Sequence, residues 1–308
     1  MEILPPMAKP GQAQSWPPLP LTEWARTRDT LHMWTQIVGK LRLALSPRVN
    51  HWWEAPLYVS PRGLTTSAIP YSAGIFEAEF DFLEHVLRFT TSTGETKLIA
   101  LAPRSVADFY AEFSATIASL GIQAKIWPVP VEIPNPIHFD RDIQHADYDR
   151  EYAQRFWRIL VTVDTVFKEF RARFIGKASP VHFFWGSFDM AATRFSGRRA
   201  PDRANSDIIT REAYSHEVSS AGWWPGGGEI TTPVFYSYVA PEPAGFRDAK
   251  VGPETAFYHP RLAEFLLAYD DVRSASDPRG VLIEFLQSTY EAAANLGNWD
   301  RSALERQA

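Results

Sequence analysis

Two stretches of equal length, WARTRDTLHMWTQIVGKLRLALSP at residues 24–47 and WRILVTVDTVFKEFRARFIGKASP at residues 157–180, decide the predicted fold. Each begins with tryptophan and ends with Ser-Pro, and apolar residues recur inside each at helical spacing. The matching apolar positions are Trp34 with Phe167, Ile37 with Phe170, and Leu41 with Phe174. This agreement predicts that the chain contains two copies of one structural unit.

The match continues beyond the two helices. Each Ser-Pro is followed by a histidine and large aromatic residues, His51 in the first half and His182 in the second. Residues 109–121 and 285–297 also have equal length, begin with phenylalanine and end with Leu-Gly, which is typical of a helix stopped by glycine. We therefore expect an α+β fold, a pseudo-symmetric tandem duplication in which each repeat is a helix, a four-stranded antiparallel meander and a helix.

The predicted boundaries follow proline content and the repeat positions. They are a proline-rich N-terminal arm at 1–20, repeat 1 at 21–126, a proline-rich connection at 127–149, repeat 2 at 150–297 and a C-terminal tail at 298–308. Repeat 2 has insertions at 196–211 and 241–269, the second with an expected helix at 261–267. We expect a strand at 52–60, weakened by Pro56, and an alternating strand at 76–82.

Composition excludes several classes of protein and site. The net charge of −5 and the pI near 5.9 argue against nucleic-acid binding, which needs clustered basic residues. The chain has no cysteine, so thiolate nucleophiles and cysteine-ligated metals are excluded. No signal-peptide pattern and no apolar run of membrane length are found, and we expect a cytoplasmic protein with no membrane partner. The oligomeric state is left open.

Histidines and carboxylates of the second repeat are the strongest candidates for chemistry. We predict His182, His216, Asp189 and Glu217 as catalytic, and His182 with His216 as ligands of a divalent metal, Zn, Fe or Mn. In an unbroken strand His182 and Asp189 point to opposite faces, and a bulge at Gly186 would bring them together. The alternative is that these histidines are structural, packed among aromatic rings.

A second set of residues is predicted to bind the ligand. Arg194 is expected to hold an anion by a bidentate bond, and the tryptophan pair beside a glycine run is expected to stack on the ligand from a mobile loop. The full set is Arg194, Arg62, His51, His32, Gln36, Lys40, Tyr214, Trp223 and Trp224. For any single tryptophan, core packing is the competing explanation.

Several blocks together resemble an uncharacterised, mainly bacterial family known only as a domain of unknown function. They are LHMWTQIVGK at 31–40, NHWW at 50–53, HFFWGSFD at 182–189, TRFSGR at 193–198 and EAYSHE at 212–217. The resemblance covers the chain from about residue 16 onward and implies no activity or cofactor.

Two hypotheses about function result. The first is an enzyme that acts on a small anionic or aromatic metabolite in a cleft of the duplicated fold, with or without a histidine and carboxylate metal site. The alternative is a non-catalytic protein that binds a small molecule or serves as a scaffold.

Overall fold

Two antiparallel sheets and seven helices make up residues 15–306, the part of the chain that the computed structural model describes, and the fold is α+β as predicted. The helices are α1 (Leu21–Leu45), α2 (Val106–Ser119), α3 (Arg150–Ala172), α4 (Ile208–Ala213), α5 (Tyr269–Ser274), α6 (Pro278–Leu296) and α7 (Arg301–Leu304). The strands are β1 (Tyr58–Val59), β2 (Gly63–Thr65), β3 (Ile69–Tyr71), β4 (Gly74–Asp81), β5 (Val86–Thr91), β6 (Thr96–Ala100), β7 (His182–Phe184), β8 (Asp189–Arg199), β9 (His216–Trp224), β10 (Val234–Ala240), β11 (Phe257–His259) and β12 (Glu264–Ala268).

The two sheets meet at their edges. The first has the order β1-β2-β4-β5-β6, with β3 paired to β4, and the second has the order β11-β12-β10-β9-β8-β7. Leu57, just before β1, and Phe183 in β7 exchange both backbone hydrogen bonds at 2.9 Å. The second sheet therefore continues into the first through a single bridge.

The long helices cover one face of the second sheet. The side chain of Asp149 caps α3 by accepting hydrogen bonds from the first backbone amides, and the apolar stripe of α3 is buried. Phe156 of α3 packs against Trp223 of β9, and Tyr290 of α6 packs against Phe170 of α3. We call the opposite face of this sheet, turned away from α3 and α6, the far face.

Each half runs from a long helix through a sheet to a second long helix, but the details of the predicted repeat differ. Each sheet has six strands rather than four, because short segments such as β1 and β3 add edge pairings that a periodicity search overlooks. The matched stretches also end differently. α1 continues to Leu45, directly before Ser46, whereas α3 ends at Ala172, well before Ser179.

Two predicted elements are wrong. Residues 261–267 are not a helix, because the apolar run Phe265 to Leu267 is the buried centre of β12, paired with β10 and β11. Strand pairing at this position overrides local propensity. Of the predicted strand at 52–60 only Tyr58–Val59 forms a strand, since His51 and Trp52 have positive φ angles and form a 3₁₀ turn.

The termini are described only in part. Residues 1–14 of the predicted N-terminal arm and residues 307–308 of the predicted tail lie outside the described residues. The remaining arm residues include Trp16 and Leu19, which are buried in the main core. Between residues 15 and 306, no helix combines the length and the apolar character that crossing a membrane requires.

Candidate ligand site on the far face

A buried carboxylate lies on the far face at the start of β8. Asp189 is only 6% exposed. Its neighbour Met190 pairs with Trp223 on the helix-covered side, so the Asp189 side chain points the other way. The carboxylate accepts hydrogen bonds from the hydroxyl groups of Ser187 and Tyr236. Burial raises the pKa of Asp189, and the two hydrogen bonds oppose this rise.

Tyr236 reaches Asp189 from two strands away because the strand between them has glycine at the crossing point. Gly222 of β9 pairs with Tyr236 on one side and with Ala191 on the other. A Cβ atom at Gly222 would overlap the ring of Tyr236, so only glycine leaves room for it. Burial, followed by the charge of Asp189, raises the pKa of Tyr236 well above its usual value. Tyr236 therefore remains protonated and donates its hydrogen bond.

Two further carboxyl groups lie close enough to Asp189 to feel its charge. Glu264 of β12 shares the face of Tyr236, and burial followed by the charge of Asp189 raises its pKa to about 7. The carboxylate of Glu132 lies against Gly186, and its pKa is raised by the same two causes in the same order. We call Glu132, Asp189, Tyr236 and Glu264 the acid–tyrosine cluster.

Helix α1 positions Glu132 through the residue before it. The side-chain amide of Gln36 donates to the Val131 carbonyl at 2.9 Å, and its oxygen accepts from the Val131 backbone amide at 2.8 Å. Nε2 of His32 lies 2.9 Å from the carbonyl oxygen of Gly186, and burial lowers the pKa of His32 to about 4. Both side chains thus hold backbone segments that border the acid–tyrosine cluster.

Lys40, a predicted ligand-binding residue four positions after Gln36 on α1, lies apart from those contacts. It is buried, its ammonium nitrogen lies 5.8 Å from the centre of the Trp185 ring, and burial lowers its pKa to about 8.

A basic cluster occupies the other end of the far face. Nζ of Lys177 lies 2.6 Å from Nε2 of His51, and the rings of His51 and His216 are 5.7 Å apart. We call these three residues the lysine–histidine cluster. It adjoins Phe195, which lies roughly 20 Å along β8 from Asp189 at the usual strand rise.

His182 lies on the same face as Asp189, but Gly186 is part of the turn between β7 and β8 rather than a bulge. His182 pairs with Ala191, two residues after Asp189, and this register gives both side chains the same direction. His182 is fully buried among aromatic rings, and neither ring nitrogen has a hydrogen-bond partner. Burial lowers its pKa to about 3.

No second metal ligand contacts His182 in the aromatic surroundings described above, and the metal site on His182 and His216 stays a prediction. Among residues 15–306, no group of three or more histidine, aspartate or glutamate side chains is arranged to hold a metal ion.

Arg194, the predicted anion ligand, lies on the helix-covered side of the sheet. It is 2% exposed, and its guanidinium donates to the carbonyl of Phe170 near the C-terminal end of α3. The guanidinium carbon lies 3.5 Å from the centre of the Phe170 ring and 4.2 Å from that of Tyr290. Burial lowers its pKa to about 9. The structure therefore separates Arg194 from Asp189 by the thickness of the sheet.

Arg62 and Glu217 are engaged in ion pairs away from the acid–tyrosine cluster. Arg62 pairs with Asp81 at 2.5 Å and with Glu84 at 2.8 Å on the first sheet. Glu217 pairs with Arg198 at 2.6 Å and diverges from His216, as adjacent residues of a strand do.

The predicted aromatic residues divide between the two faces. Trp223 is fully buried under α3, whereas Trp224 is half-buried beside Gly227 on the far face. Both lie at the end of β9 rather than in a mobile loop, because Trp223 pairs with Phe235 and Trp224 with Val234 of β10. Tyr214 also lies on the far face, with its hydroxyl 2.8 Å from that of Tyr238.

Three members of the acid–tyrosine cluster were not predicted. Tyr236 and Tyr238 alternate along β10, and this period of two was a usable signal for a polar aromatic face. Glu264 was hidden by the wrong helix prediction, and Glu132 lies in a proline-rich connection without periodicity.

Comparison with known proteins identifies a family but no function. No curated protein and no solved structure matches the chain. The resemblance predicted from the sequence blocks is confirmed, because a family model matches residues 16–306. The chain therefore belongs to DUF5996, a family of unknown function.

Proposed function

We propose that the protein is an enzyme that binds a small aromatic ligand with a cationic or proton-donating group at the acid–tyrosine cluster. The observation that carries this proposal is the contact of Tyr236 with Asp189 across Gly222. This polar arrangement is specific: Gly222 leaves a strand position without a side chain, Tyr236 spans that position, and Asp189 is the buried carboxylate that it reaches. Core packing alone does not require such an arrangement.

The charge of the cluster favours a cationic partner. Burial raises the pKa values of Glu132, Asp189 and Glu264, and the charge of Asp189 raises those of Glu132 and Glu264 further. A ligand that brings positive charge or hydrogen-bond donors would stabilise the charged carboxylates against both burial and the repulsion between them. Of the two ligand classes predicted from the sequence, anionic and aromatic, this cluster supports the aromatic one, since its carboxylates would repel an anion.

Proton exchange is the chemistry for which the cluster is suited. Glu264 has a pKa of about 7, and a carboxyl group with such a pKa can both give and take a proton near neutral pH. The stacked rings of Tyr236 and Tyr238, 6.2 Å apart, offer an apolar wall beside it. Asp189, which already accepts two hydrogen bonds, would orient the ligand.

The experiment compares benzylamine with benzoate and benzyl alcohol, which share a ring and differ in charge. Benzylamine should raise the melting temperature, because a ligand of the folded state stabilises it by mass action, and benzoate should not. The shift should vanish in Asp189→Asn and persist in Asp202→Asn, which alters an exposed aspartate elsewhere. Stabilisation by benzoate instead would favour the anionic class, and equal shifts for all three probes would contradict a charge-selective site.

A non-catalytic binding protein is the second candidate, and it is favoured by the occupied hydrogen bonds of Asp189. Once a natural ligand is identified, Glu264→Gln separates the two functions. An enzyme would lose turnover while it retained the ligand, whereas a binding protein would show no turnover to lose.

We also propose that residues 21–126 and 150–297 arose by tandem duplication. The order of long helix, antiparallel sheet and long helix in each half supports this, as do the paired apolar positions of α1 and α3.

A further inference from the structure

Lys177 is fixed in place by the strand beneath it. Its backbone carbonyl accepts a hydrogen bond from the amide of Phe195 at 3.0 Å, so the residue is tied to β8. Its ammonium nitrogen lies 4.9 Å from the centre of the Phe195 ring and 5.4 Å from that of Trp53. The side chain nevertheless remains exposed. The amine thus lies against two aromatic walls and is accessible from solvent.

His51 presents a lone pair to this amine. Nδ1 of His51 lies 3.0 Å from the backbone carbonyl of Glu212, which can only accept, so Nδ1 carries the proton and Nε2 is the acceptor. Nε2 lies 2.6 Å from Nζ of Lys177. The backbone of His51 has a φ of 59°, and its amide donates to the Glu212 carboxylate at 3.2 Å. Contacts from the second half of the chain therefore hold the imidazole.

We propose that Lys177 and His51 form a reactive-amine site that captures small aromatic aldehydes or ketones as imines. A lysine whose ammonium faces a neutral imidazole has a proton acceptor in place, and the rings of Trp53 and Phe195 give an aromatic carbonyl compound a surface for stacking. The titratable groups around His51 are Lys177, His216 and Glu212. The Glu212 carboxylate accepts a hydrogen bond from the backbone amide of His51, and among residues 15–306 no carboxylate forms an ion pair with the Lys177 ammonium.

The chemical step needs no further reactant. The ammonium of Lys177 gives a proton to Nε2 of His51, and the free amine attacks the carbonyl carbon to form a C–N bond. The carbonyl oxygen takes a proton from the attacking nitrogen and becomes the hydroxyl of a neutral carbinolamine. That hydroxyl then leaves as water with the proton held by His51, so that the products are a protonated imine and a neutral His51. The reaction is reversible, and no atom changes its oxidation state overall.

The test traps the imine with salicylaldehyde and sodium cyanoborohydride at neutral pH. The hydride reduces the imine to a secondary amine, and peptide mass spectrometry locates the added mass. Lys97 and Lys125 are exposed lysines of the same chain and serve as internal controls. We expect Lys177 to be labelled at least about tenfold faster than either, since an activated amine reacts through its neutral form.

Substitution of the acceptor provides the second arm. His51→Asn keeps a residue that tolerates positive φ but removes the imidazole, and it should reduce labelling of Lys177 to the rate of Lys97. His138→Asn, at an exposed histidine, should leave the rate unchanged. The proposal fails if Lys177 in the unaltered protein reacts no faster than the two control lysines. This comparison stands even if His51→Asn does not fold. A folded His51→Asn protein with undiminished labelling would equally overturn the role of the imidazole.

Discussion

Gly222 is the residue that allows Tyr236 to contact Asp189, and this dependence can be measured. Gly222→Ala would place a methyl group inside the Tyr236 ring, so the ring or β9 has to move. We expect a loss of about 1–3 kcal/mol in the free energy of unfolding, the usual range for overpacking, together with loss of the benzylamine response. Urea unfolding measures the first effect and a melting-temperature shift measures the second.

A double mutant provides the control for Gly222→Ala. If the clash with the Tyr236 ring causes the loss of stability, Gly222→Ala should lower the free energy of unfolding much less when Tyr236 is also replaced by alanine. The two changes share one contact, so their effects are not additive. Equal costs on both backgrounds would show instead that the glycine is needed for the backbone of β9.

Arg194 illustrates at the residue scale why burial decides the role of a charged side chain. The sequence predicts that Arg194 holds an anion by a bidentate bond. In β8, however, Arg194 is an odd number of residues from Asp189, so its side chain lies on the opposite, helix-covered face. There its planar guanidinium stacks between Phe170 and Tyr290 and binds the carbonyl of Phe170. Lysine could not reproduce this geometry, since it lacks a planar group.

The contact of α1 with the 127–149 connection controls the position of Glu132 at the element scale. Gln36 pairs with both backbone groups of Val131, much as a neighbouring strand would. Gln36→Leu should speed hydrogen exchange at residues 127–135 and weaken the benzylamine response, while global stability falls by only about 1 kcal/mol because water reaches the exposed Val131. Gln123→Leu, at an exposed position, is the matched control. Unchanged exchange in 127–135 would mean that this connection is held by other contacts.

Elements with strong internal periodicity were predictable from the sequence. The helices α1, α2, α3 and α6 and the strand β4 lie close to their predicted positions, because each has a continuous apolar stripe or a regular alternation. β12 was not predictable in this way. Its apolar run is buried by pairing with strands on both sides, which depends on distant parts of the chain.

The candidate site shows the same limit. Asp189 could be predicted because it lies in an unusual aromatic block. The direction of its side chain relative to His182 could not, because that depends on the register in which β7 pairs with β8. Tyr236, Glu264 and Glu132 come from three separate segments that only the order of strands brings together. Sequence spacing carries no information about contacts of that kind.

Groups with opposite pKa shifts determine how the stability of the whole molecule depends on pH. His182 and His32 have lowered pKa values in the folded protein, about 3 and about 4, so their contribution to stability is complete above pH 6.5 and is lost as the pH falls. Glu264 acts in the opposite sense. Its folded pKa of about 7 is raised, so its contribution is complete below the unfolded value of 4.5 and is lost as the pH rises through 7.

The variant His182→Leu isolates the contribution of His182 to the pH dependence of stability. Neither ring nitrogen of His182 has a hydrogen-bond partner, so replacement by a similar apolar side chain should change the free energy of unfolding at pH 7 by less than about 1 kcal/mol. Between pH 6.5 and 5 the normal protein should lose about 2 kcal/mol through His182, a loss that the variant avoids. Urea unfolding at both pH values measures this difference, and His138→Gln, at an exposed histidine, should behave like the unaltered protein. A variant that unfolds at pH 7, or that loses as much stability in acid as the unaltered protein, would show that His182 is not held as a neutral, unpartnered side chain.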